Sequence, residues 1–146
     1  MAMAENQEKN MVSNDKQDKL LMEMCIKHLT QYAAMIKIDR GTQGDESIGR
    51  LKKMIGEMEA YWDLSERKDR EEQFDKTLRR AVQTGRANWV SEKQKIATVN
   101  GLYRYASEMI FVQGMEAIDR VKEVQSVIRE LADGWGMDKE WVDQLC

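Results

Sequence analysis

The sequence predicts an all-α protein, a mostly antiparallel bundle of five or six helices, and three observations carry that prediction. The 146 residues contain no proline, whereas a β-rich domain of this length needs turn punctuation. Helix-forming Met, Glu, Lys, Gln, Arg and Ala dominate, and β-branched runs are short. Apolar residues recur at three- and four-residue spacing through most of the chain.

Residues 1–13 are polar and aperiodic, so a flexible tail is expected there, with 14–146 as a single helical domain. Leu21, Cys25, His28, Tyr32 and Met35 then mark one face of a helix over about 15–39, which the Gly41–Gly44 stretch ends. Asp45 or Ser47 can cap a second helix, whose seam is Ile48, Leu51, Ile55, Met58 and Trp62. Gly49 and Gly56, seven apart within it, suggest a close helix approach. A third helix over about 66–84 opens on two polar turns and buries Phe74, Leu78, Ala81 and Val82, with Gly85 placed to end it. Ser91 and Gln94 form a capping box for a fourth, with the seam Ile96, Val99, Tyr103, Ala106 and Ile110, widened by Leu102, Met109 and Phe111. A further stripe, Val121, Val124, Ile128 and Leu131, runs on to Gly134. Gly114 lies between these two stripes and either breaks the chain or is tolerated inside one long helix around 92–133. Asp138 caps a short terminal helix bearing Trp141, Val142 and Leu145.

Composition narrows the class. Hydrophobic residues at 42% beside charged residues at 34% fit a packed, charge-rich domain rather than a disordered chain. No apolar run approaches the roughly 18 residues of a membrane span, and no secretory leader pattern is readable. Cys25 and Cys146 define no disulfide framework, so a reducing, cytoplasmic setting is expected. Gly-rich nucleotide cradles, an EF-hand loop and Glu-x-x-His pairs are all missing from the sequence. Cys25 and His28, three apart, suggest a thiolate–imidazolium pair, but both coincide with the core periodicity and are read as packing. With one His and a distant second Cys, no metal site and no cofactor are expected. No catalytic residue is assigned, and an enzyme is not expected.

Charge is distributed unevenly. Residues 64–104 hold ten basic and six acidic side chains, while 105–146 hold four basic and nine acidic. Between 75 and 95, Lys76, Arg79, Arg80, Arg86, Lys93 and Lys95 are opposed by Asp75 and Glu92 alone. Trp89 sits among these cations, and Trp135 and Trp141 lie at later helix ends, where an aromatic plugs a bundle or anchors a partner. The expected function is therefore that of a non-enzymatic interaction protein, an adaptor, inhibitor or small subunit. It binds an acidic protein surface through the basic connector and exposed aromatics. The apolar supply further suggests a homodimer. The alternative is a sequence-tolerant RNA- or single-strand-binding protein that uses the 76–95 stretch, with phosphates on the cations and a base stacked on Trp89. No motif specifies a family.

Overall fold

The structure, a computed structural model, describes residues 2–62 and 67–145, with the side chains of 17–62 and 71–145 among them. It is all-helical, and the described residues contain no strand. The elements are α1 (Ala2–Arg40), α2 (Asp45–Tyr61), α3 (Arg67–Thr84), α4 (Glu92–Gln113), α5 (Ile118–Gly134) and α6 (Lys139–Leu145). Helix α1 begins upstream of the expected residue 15. The side chains of residues 1–16 lie outside the described residues, and the expectation of a flexible tail over 1–13 rests on them.

Helix α1 is the centre of the packing, with α2, α3 and α4 against it, while α4 packs on α5 and α5 on α6. Its buried face, Met22, Cys25, Leu29, Tyr32 and Ile36, joins the seams of α2 and α5 in one core. The α2 seam is buried as the spacing predicts, from Ile48 to Trp62. Its N-terminus differs: the N-cap is Gly44, with no side-chain cap, and Asp45 instead bonds Lys37 of α1 at 2.8 Å. Gly49 admits no close neighbour, since a Cβ there would meet nothing within 4 Å.

The 92–133 stretch is two helices, not one. Gly114 takes φ +65°, a conformation that a residue with a side chain rarely adopts, and a 3-10 turn over Gly114–Ala117 redirects the chain into α5. The long-helix alternative is thereby removed. The face of α4 also differs from the expected seam. Val99, Leu102, Tyr105, Ala106 and Met109 are buried, whereas Ile96, Tyr103, Ile110 and Phe111 are exposed. Shape explains the rotation. Gly101 turns toward α1, and a Cβ built on it would lie 2.3 Å from Cys25 Sγ, so α4 approaches α1 where it carries its smallest residue.

That contact yields a prediction. Gly101→Ala should destabilise by about 1–3 kcal/mol through overpacking, despite alanine's better helix propensity. Adding Cys25→Ala should recover much of the loss by vacating the clash. A double-mutant cycle by urea denaturation checks both; additive losses would refute the contact.

Candidate functional site

A groove runs along α1 where α3 lies beside it. Its floor is built from α1 residues on one helical flank: Leu20 and Met24 at one end, Gln31 in the middle, Met35 and Ile38 at the other. From Leu20 to Ile38 the helix rises roughly 27 Å. Met24 lies near Phe74, Gln31 near Thr77 and Arg80, and Met35 near Gly85, so α1 and α3 run in the same direction along it.

Three stretches follow one another. The first, of about 490 Å³, sets Leu20, Met24 and Phe74 beside Glu23, Lys27 and Gln73. The middle, of about 660 Å³, is lined by Lys76, Arg80 and Arg86, above the amides of Gln31, Gln73 and Asn88. The last, of about 310 Å³, brings Trp89 and Trp135 together with Lys95 and Asp39 around Met35 and Ile38. Gln31 borders all three stretches.

Helical spacing places the cations. Phe74, Leu78 and Ala81 face the core, which sets Lys76 and Arg80, four residues apart, on the groove flank of α3. The other flank is electrically occupied. Lys52 of α2 bonds Asp75 at 3.0 Å and approaches Glu71 at 3.6 Å, with its ammonium 5.9 Å from the Phe74 ring centroid. Lys76, Arg80 and Arg86 make no ion pair with a described residue.

The connector 85–91 is held in place rather than loose. Gly85 turns out of α3 at φ +70°. The Thr84 hydroxyl donates to the Arg80 carbonyl at 2.9 Å, and the Asn88 backbone N–H donates to Gln31 Oε1 at 2.9 Å. Val90 is buried, so in this extended stretch its neighbour Trp89 faces outward and is 84% exposed. The capping box then starts α4: Gln94 N–H donates to Ser91 Oγ at 3.2 Å and Ser91 N–H to Gln94 Oε1 at 2.8 Å.

The groove thus gathers six of the residues singled out in the sequence, namely Lys76, Arg80, Arg86, Trp89, Lys95 and Trp135. Lys95 is partly engaged by Glu92 at 3.2 Å. Arg79 and Lys93 are exposed but line none of the three stretches. Among the three tryptophans expected as exposed anchors, Trp135 and Trp141 are half-buried and packed on the core. Trp135 meets Tyr32 edge-on at 5.4 Å, and Tyr32 donates to the Glu130 carbonyl at 3.2 Å. Sequence reasoning missed Leu20, Met24, Gln31 and Gln73. Leu20 and Met24 had one signal, apolar residues on α1 beyond what a single core face needs; Gln31 and Gln73 had none.

Cys25 and His28 belong to the α1–α4 contact. The Thr98 hydroxyl donates to the Gln94 carbonyl at 2.7 Å, so its oxygen accepts from His28 Nδ1–H at 2.9 Å. The Cys25 thiol points at the Thr98 carbonyl at 3.8 Å, and burial pushes it up to about 12, far from a nucleophilic thiolate. Burial, and secondarily the Lys27 ammonium, hold His28 below its ordinary value of 6.5. The unfolded chain therefore takes up this proton first, and stability should fall as pH drops below about 6.5, levelling once the folded histidine is also charged. Urea midpoints across that window check this: His28→Gln should lose less than the parent chain, and an equal loss would refute it.

A further groove of about 640 Å³ beside α2 is of mixed charge, with Lys52, Lys53 and Arg120 set against Glu57 and Glu71. Among the described residues no group of three His, Cys, Asp or Glu side chains is placed to hold a metal ion, and no helix is long and apolar enough to cross a membrane. Compared with models of known families, with curated proteins and with solved structures, the chain matches none.

Proposed function

We propose that this chain is a non-enzymatic interaction protein whose α1/α3 groove takes an acidic, amphipathic segment of a protein partner. One observation carries the reading: three cations without an ion-pair partner among the described residues line the middle of a groove that carries apolar side chains at both ends, Leu20, Met24 and Phe74 at one and Met35, Ile38 and Trp89 at the other. A helical segment seats apolar anchors in such a trough at three- and four-residue spacing, and carboxylates facing Arg80 and Arg86 gain charge-assisted hydrogen bonds. The reducing interior of a cell suits a chain whose Cys25 is a free, buried thiol.

A second reading has its own support. Trp89, 84% exposed and beside Lys95 along the same stretch, offers a stacking face of the kind that single-stranded nucleic acid uses. The apolar side chains Leu20, Met24 and Phe74 have no role in that reading, which is why the peptide is preferred.

The discriminating experiment titrates two labelled probes at low and physiological salt. One is an amphipathic Glu/Leu peptide of about 18 residues, the length that spans the groove as a helix; the other is a single-stranded RNA of equal charge. The proposal expects the peptide to bind with a component that survives salt. Binding confined to RNA, with a log–log salt slope of about −0.7 per phosphate contacted, would transfer the groove to nucleic acid.

A further inference from the structure

Among the described residues, the α4–α5 turn presents the most exposed cluster of large apolar side chains close in sequence. Phe111 is 91% exposed, Met115 78% and Val112 64%. Scattered exposed apolar residues are ordinary, but three on one turn form a patch of the kind that marks an interaction site. The backbone places them there. Gly114 swings the chain at φ +65°, so residues before and after it project from the end of the α4–α5 hairpin while Met109 and Ala117 stay in the core. Between Arg104 and Arg120 the turn carries Glu108, Glu116 and Asp119 and no basic side chain.

The groove carries the complementary features in the same order. Leu20 and Met24 are exposed in its first stretch, beside Phe74 and flanked by Glu23 and Lys27, and the cations Lys76 and Arg80 line the next. We propose that the α4–α5 turn of one copy docks into the α1/α3 groove of a second copy. Phe111 sits between Leu20 and Met24, and Glu116 and Asp119 face Lys76 and Arg80. Charge selects this pairing over turn against turn, which would bring acid onto acid. The inference rests on the groove being a binding site, and it adds a consequence: a second copy competes with any acidic partner, so self-association holds the groove closed.

Analytical ultracentrifugation tests the contact with wild type, Phe111→Ser, Arg80→Glu and an equimolar mixture of the two variants. Both substitutions are on exposed side chains, and circular dichroism verifies that each variant stays folded. Wild type should self-associate with rising concentration, and each variant should do so about thirtyfold more weakly, the scale of an interface hot spot. The mixture should recover association, because the intact turn of Arg80→Glu meets the intact groove of Phe111→Ser. A wild type that remains monomeric, or a mixture no better than its components, would overturn the proposal. The Glu/Leu peptide separates the two levels. Peptide binding by Phe111→Ser beside a monomeric wild type defeats the docking alone, whereas no peptide binding by any form defeats the groove itself.

Discussion

Phe74→Ala should lower the unfolding free energy by about 3–5 kcal/mol, the range for truncating a buried aromatic. Helix α3 depends on few anchors. Phe74, Leu78 and Ala81 are its buried side chains, and its other described positions are exposed or partly so. Phe74 lies between the α1 groove and the α2 groove and borders both, so its loss removes the wedge that spaces α3 from two helices at once. The Lys52 ammonium also loses the ring beneath it. Phe74→Leu should cost clearly less, since volume is largely retained. Chemical denaturation monitored by far-UV circular dichroism checks the pair. A loss below about 1 kcal/mol for the alanine variant would mean that α3 is not part of the cooperative unit.

The second large effect concerns binding, and it separates cations that the sequence cannot tell apart. Replacing Lys76, Arg80 and Arg86 with alanine should weaken the Glu/Leu peptide about fivefold each and about a hundredfold together, taking partly exposed pairs at the upper end of their usual strength. Replacing Arg79 and Lys93, equally basic and equally close in the sequence, should leave the affinity nearly unchanged, because neither lines the groove. Peptide titrations at one fixed salt concentration decide the matter. Equal losses from both sets would mean that overall charge rather than the groove does the binding.

Much of the architecture was legible because it rests on local rules. The Ser91–Gln94 capping box, the glycine stop at Gly85 and the α2 seam follow from spacing and cap chemistry within a few residues. The α4 face was not legible. Periodicity counts apolar residues, whereas the packing is decided by the small surface at Gly101, which turns Tyr103 and Ile110 outward. The apolar turn was misread: spacing assigns Ile110 and Phe111 to the α4 seam, yet Ile110, Phe111 and Val112 are consecutive, and one helix face cannot bury all three. The groove combines both cases. The excess of cations between 76 and 95 is visible in the chain, but which of them converge depends on Gln31 and Met24, some fifty residues upstream.

The most direct test of the groove as the binding site is a spectrum of the four tryptophan indole N–H groups while the Glu/Leu peptide is added. Trp89 and Trp135 border the groove, Trp62 is buried under α2, and Trp141 packs on the core in α6. The account predicts that the Trp89 and Trp135 resonances shift together and saturably while Trp62 and Trp141 stay in place. Peptide binding that moves Trp141 or Trp62 and leaves Trp89 unmoved would contradict it.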